Sequence, residues 1–172
     1  MVTTGFVATA RSSRPSHREQ RSPHRALAEF GRLTELPSLA FDASGYCCLL
    51  VDEITLNLEH DGPGDRLLFY AHLGLVPEPA EPGLYELLLE GNYFCKSTDD
   101  CTLGVDLATR AIVLYAARPA AGLDGPQLEE QVTRFVAVAE DWRRRIAHHL
   151  PQPAGRASAG TSAAMAGTRF RA

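Results

Sequence analysis

Between residues 22 and 150 the spacing of apolar positions switches from helical to strand-like and back, and the order of the switches predicts an architecture. In SPHRALAEFGRLTEL, Leu27, Phe30 and Leu33 fall on one helical stripe. Ser22 stands where an N-cap accepts a backbone N–H, and Pro23 takes the first helical position, where its missing donor costs nothing. Pro37 stops the helix. After the turn DASG, the stretches YCCLLVDE and ITLNLEH alternate with period two. Ile54, Leu56 and Leu58 face one way and Thr55, Asn57 and Glu59 the other. HDGPGD reads as a loop and RLLFYAHL as a third strand, so short connections predict an antiparallel meander.

The three prolines of VPEPAEPG forbid regular structure before LYELLLEGNYF, which reads as a short helix from Leu84 to Phe94. Its apolar residues do not share one face. Leu84 and Leu88 lie on one side, Tyr85 and Leu89 on the next and Leu87 on a third, so the helix must be covered on more than one side. CTLGVDLATRAIVLYAA predicts a β-hairpin turning at LATR. In LDGPQLEEQVTRFVAVAEDWRRRIAHHL, Asp124 and Gln127 have capping-box spacing, and Leu123 and Leu128 are placed for a hydrophobic staple. The stripe Leu128, Val132, Phe135, Val136, Ala139, Trp142 and Ile146 packs this last helix on a sheet. The order is helix, three-strand meander, helix, hairpin, helix: an α+β fold with an antiparallel sheet and helices against it. A second copy of the chain is the simplest cover for the unclaimed face of the middle helix.

The chain has 172 residues, enough for one domain with its own core. Residues 1–21 are a Ser/Thr/Arg/Pro-rich basic leader and residues 151–172 an Ala/Gly/Ser tail; both compositions predict disorder, leaving a folded unit of 22–150. No apolar run is long enough to span a membrane, and MVTTGFVATA lacks the basic start and apolar centre of a secretory signal, so the expected location is the cytoplasm. Cys47, Cys48, Cys95 and Cys101 match no zinc or redox spacing and are expected to be reduced, structural thiols. The net charge of −4 hides a division: residues 37–142 hold 18 acidic side chains against five basic ones, a net −13, while arginines gather at both ends. So acidic a body repels phosphate and argues against a nucleic-acid ligand.

Catalytic patterns are missing from the sequence. HDGPGD has neither the lysine nor the following helix of a phosphate loop, and no Gly-x-Ser-x-Gly elbow occurs. His148 and His149 project about 100° apart on a helix and do not by themselves make a metal site. No cofactor is expected. The rival to a binding protein is a thiol-dependent enzyme using Cys47 or Cys48, although no cation sits beside either to lower its pKa. An acidic body, an alternating sheet and a first helix with large apolar residues suit an extended apolar segment of another protein, laid along a strand edge or tucked between helix and sheet.

From about Ala26 to Arg145 the chain resembles a class I type III secretion chaperone of the Tir-chaperone (CesT-like) family. The strings that carry the resemblance are FGRLTELPSLAFDASGYCCLLVDE, LLFYAHLGLVP, LYELLLEGNYF and LDGPQLEEQVTRFVAVAEDWR, in that order and spacing. The resemblance implies a homodimeric chaperone of bacterial pathogens and symbionts that binds the N-terminal segment of a secreted effector, keeps it competent for export and presents it to the secretion ATPase. It places the dimer interface on Leu84, Tyr85, Leu88, Leu89 and Asn92, and the effector contacts on Leu33, Leu36, Leu39, Phe41, Leu56 and Leu58. It implies no enzyme activity and no nucleotide. The leader and the tail exceed the minimal family pattern.

Overall fold

The computed structural model describes residues 22–150, so the disorder expected of 1–21 and 151–172 lies outside the described residues. The elements follow the expected order: α1 (Pro23–Leu33), β1 (Tyr46–Val51), β2 (Ile54–Asp61), β3 (Arg66–Leu75), α2 (Pro82–Asn92), β4 (Thr102–Val105), β5 (Ala111–Pro119) and α3 (Gly125–His149). The five strands form one antiparallel sheet in the order β1-β2-β3-β5-β4, with β1 and β4 at its edges. Cross-strand register aligns Leu49, Leu56, Ala71, Leu114 and Leu103 in one row and Cys47, Leu58, Phe69 and Ala116 in the next. Both rows are buried under the helices. The opposite face carries Tyr46, Asn57 and Tyr70, where the Tyr46 hydroxyl donates to Asn57 Oδ1 (2.6 Å) and Asn57 Nδ2 donates to the Tyr70 carbonyl (3.1 Å).

The terminal helices are fixed by local signals and by each other. Ser22 Oγ accepts from the Arg25 N–H at 3.3 Å, capping α1. Asp124 and Gln127 complete the capping box of α3, and Leu123 and Leu128 of the staple are both buried. Glu29 of α1 adds a carboxylate at the N-terminus of α3, accepting from Gly125 N at 3.1 Å, where the positive end of the helix dipole favours it. Further along α3, Arg143 donates to the carbonyl of Glu53 at 2.8 Å and pairs with its carboxylate, tying the helix to the β1–β2 turn. The seven predicted stripe residues of α3, from Leu128 to Ile146, are all buried.

The middle helix is shifted against expectation, starting at Pro82 and ending at Asn92 rather than running from Leu84 to Phe94. Pro82 is favoured in the first turn. At the other end the Asn92 side chain is bound to β4, and Phe94 adopts φ 53°, so the chain leaves the helical path. Leu84, Leu88 and Gly91 face the core. Gly91 lies so close to α3 that an added Cβ would sit 2.3 Å from the Trp142 ring and 2.9 Å from Leu103. Trp142 is 1% exposed and its Nε1 donates to the Ser97 carbonyl at 2.8 Å. Gly91→Ala therefore forces two packed elements apart, and we expect a loss of about 1–3 kcal/mol, typical of overpacking, in urea unfolding followed by tryptophan fluorescence. A midpoint equal to the parent's would contradict this close approach.

Candidate functional site

The side of the molecule built from α1 and β1 is the first candidate surface. Gly31 lets the chain double back beneath α1: an added Cβ would lie 2.5 Å from the Leu36 carbonyl oxygen and 2.9 Å from Leu39, and Leu36 N donates to the Gly31 carbonyl at 2.6 Å. The returning segment brings Phe41 to the start of α1, edge-on to His24 with ring centroids 5.1 Å apart and 6.4 Å from His60. Leu33 and Leu36 are 52% and 50% exposed, whereas Leu39 and Phe41 are half-buried against the core. Leu56 and Leu58 are fully buried in the core and back this surface instead of lining it.

The two sheet edges are unlike. Along β1, Tyr46 uses its N–H and carbonyl on Asp42 (3.0 and 2.8 Å), so its backbone groups point away from β2. By the alternation of an antiparallel ladder, those of Cys48 and Leu50 point outward as well, leaving a strand edge that can take another strand. Leu50 is 74% exposed beside it. On β4, Asn92 from α2 already occupies the equivalent groups: its Oδ1 accepts from Leu103 N at 2.8 Å and its Nδ2 donates to the Leu103 carbonyl at 2.9 Å. A side-chain amide thus takes the place of a neighbouring strand at that point.

Of the residues assigned to a dimer contact, Leu84 and Leu88 fill the protein's own core and Asn92 binds β4. Tyr85 and Leu89 point outward, Leu89 being 71% exposed. Tyr93 and Phe94 extend this apolar strip past the helix end, with rings packed edge-on at 4.6 Å. The two aromatics do not follow from periodicity, whereas Leu50 does. Both aromatics sit beyond the point where the helix stops, and the alternation that puts Leu49 inside is the signal that puts Leu50 outside.

Chemistry of other kinds finds little support in the geometry. Among the described residues no group of three or more His, Cys, Asp or Glu is placed to hold a metal ion. A cavity of about 210 Å³ between α3 and β5 is lined by Phe69, Cys101, Arg118, Gln131 and Arg134, among others. Its charges are already committed: Arg134 grips Asp99 through two bonds of 3.0 and 3.1 Å, which holds that carboxyl below the usual range, and Arg118 donates to the Asp99 carbonyl at 3.2 Å. Burial pushes the Cys47 thiol up and raises Cys101 to about 11, so these two stay protonated near neutral pH. No helix among the described residues is long and apolar enough to cross a membrane.

A two-layer α+β unit with one open strand edge and exposed apolar strips is, as a class, a protein-binding module. The sequence model of the Tir chaperone protein (CesT) family matches residues 25–143. The chain belongs to this family of chaperones. A search of curated proteins gives no match. Among solved structures, a chain of the ExsC–ExsE complex superposes with a TM-score of 0.62 at 31% identity, over 72% of this chain and 92% of that one. A chain of the HopA1–SchA chaperone–effector complex gives 0.58 at 27% identity, over 69% and 91%. The fold also recurs in the heterodimeric ExoU–SpcU complex from the type III secretion system of Pseudomonas aeruginosa, with a TM-score of 0.53 at 24% identity, over 73% and 94%.

Cys48 and Cys95 are exposed while Cys47 and Cys101 are buried, and all four are free. A thiol-reactive chromophore should therefore label two cysteines of the native protein and the other two only after unfolding, with peptide mapping placing the early label on Cys48 and Cys95. Rapid labelling of Cys47 or Cys101 in the folded chain would contradict the packing of β1 and β4.

Proposed function

We propose that this protein is a type III secretion chaperone that holds the N-terminal segment of a secreted effector in a non-globular, export-ready form. The observation that carries this reading is the pairing of an open β1 edge with exposed Leu33 and Leu36 beside half-buried Leu39 and Phe41. The effector segment would add as a strand to β1 and seat its apolar side chains against the end of α1 and the returning segment. Affinity then comes from backbone pairing and from apolar area removed from water, at about 25 cal/mol per Å² before ordering costs. Leu56 and Leu58 would act from beneath, shaping the floor. Family membership and the effector-bound relative at 27% identity support the reading.

The working unit of this proposal is residues 22–150 as a cytoplasmic homodimer, joined through Tyr85, Leu89, Tyr93 and Phe94, with Leu84 and Leu88 holding α2 from the core side. Delivery of the loaded complex to the secretion ATPase completes the scheme. No catalytic step enters it. Because Leu89 is exposed in the single chain, Leu89→Asp should leave each protomer folded while placing an unpaired charge in the apolar contact. Light scattering should show dimer mass falling to monomer mass with an unchanged circular dichroism spectrum; a persisting dimer would remove this strip from the interface.

The effector site is tested with the effector recovered alongside this protein from its native bacterium. Leu36→Asp and Phe41→Ala should each weaken binding of its N-terminal segment by roughly ten- to a hundredfold, the equivalent of about 1.5–3 kcal/mol for a buried apolar side chain, while dimer mass is unchanged. Unaltered affinity in both variants would take the α1–β1 surface out of the site.

A further inference from the structure

The exposed strip of α2 runs at its N-terminal end into a cavity. Tyr85 belongs to the strip and is also a wall of this cavity of about 210 Å³, together with Val76, Pro79, Val105 and Leu107. Leu107, in the turn between β4 and β5, is 86% exposed, so the mouth is apolar as well as the walls. The charged groups of the lining answer each other. Arg110 pairs with Glu78 at 3.2 Å, donates to the Val76 carbonyl at 3.2 Å and donates to the Pro77 carbonyl as well. A cavity lined in this way suits an apolar side chain, because a charged one would lose its hydration without gaining a partner. Past the other end of the strip stands Phe94, 77% exposed and turned off the helical path at φ 53°. One chain thus carries an apolar cavity at one end of α2 and an uncovered aromatic ring at the other.

The two cannot meet within one chain. Phe94 lies nine positions beyond Tyr85, about 13 Å along a helix that rises 1.5 Å per residue. In a two-fold dimer the same patch of each copy meets itself. Leu89 is the middle of the strip, four positions from Tyr85 and four from Tyr93. A two-fold axis through Leu89, at right angles to the helix, makes the paired α2 segments antiparallel and sets Tyr85 beside the partner's Tyr93. The partner's Phe94, one position further on, then arrives at the mouth of the cavity. An axis parallel to the helix would instead set Phe94 against the partner's Phe94 and leave each cavity without an apolar occupant. We infer that each copy inserts its Phe94 ring into the cavity of the other, an exchange that rests on the dimer proposed above and fixes its α2 helices as antiparallel. The site is incomplete in a single chain: one copy supplies the walls, the other the ring, and the exchange occurs twice in each dimer.

The test uses the full chain with both exposed cysteines removed as Cys48→Ser/Cys95→Ser. In that background one set of chains carries Phe94→Cys and a second, distinguished by a size tag, carries Ala80→Cys on the lining of the cavity. After the two are co-expressed and treated with a short bismaleimide, denaturing gels should show the mixed pair as the main cross-linked species, with little cross-linking of either variant to itself. Phe94→Ala in the otherwise unchanged chain should raise the dimer dissociation constant at least tenfold in sedimentation equilibrium, with the circular dichroism spectrum unaltered. Cross-linking mainly between two Phe94→Cys chains, or a Phe94→Ala dimer as tight as the parent, would overturn the exchange while leaving the dimer and its contact through Leu89 in place. A parent chain that sediments as a monomer would overturn the dimer and the exchange together.

Discussion

The approach of α2 to α3 at Gly91 and Trp142 is the contact on which the arrangement of surfaces depends. Trp142 is buried, hydrogen-bonded through its indole N–H to Ser97 and overlaid by Arg145, so it forms a rigid wall. Only a residue without a Cβ can bring α2 against that wall. Once there, α2 turns Leu84 and Leu88 into the core, extends Asn92 to β4 and leaves Tyr85 and Leu89 outside. The same placement turns Leu87 toward α3, where it lines a depression with Arg145. One close contact thus divides the residues of a single short helix among core, edge plug, exposed strip and groove.

The unequal sheet edges follow from this and give the fold its direction. An unprotected strand edge invites pairing with any extended chain, and folds commonly protect it with charge, irregularity or a covering element. Here β4 is covered by a side-chain amide, while β1 keeps its outward groups beyond Tyr46. A binding protein with two equivalent edges would recruit strands on both sides. In the proposed function, occupying the outward groups of Leu103 would favour strand addition at β1, near the exposed Leu33 and Leu36 and the half-buried Leu39 and Phe41.

The acidity of the body is partly structural. Asp42 accepts from the backbone and hydroxyl of Ser44 and from Tyr46 N, making the turn into β1; Asp106 does similar work with Ala108 and Thr109 in the β4–β5 turn. Asp61 pairs with Arg66, and Asp99 with Arg134. These hydrogen bonds and cations hold all four carboxyls below their ordinary range. These four acidic side chains therefore shape turns and hold neighbouring elements together in addition to contributing surface charge.

The sequence by itself determined the element order, the α+β class, both terminal helix caps and the buried stripe of α3, because each rests on interactions between residues near one another in the chain. Alternation also assigned Leu56 and Leu58 to one face of β2. What lies over that face is a long-range matter, and in the folded chain both residues are completely buried. In the same way, helical spacing separated Leu84 and Leu88 from Tyr85 and Leu89 without saying which pair meets the core. Residues of the middle helix could be read as a group that needed covering; only the tertiary structure divided them. The return of Leu36 beneath Gly31 and the Asn92 bridge to Leu103 join residues distant in sequence or fixed by backbone turns, and periodicity carries no record of such contacts. Local chemistry chose the elements, and packing between them decided which side chains were left to meet a partner.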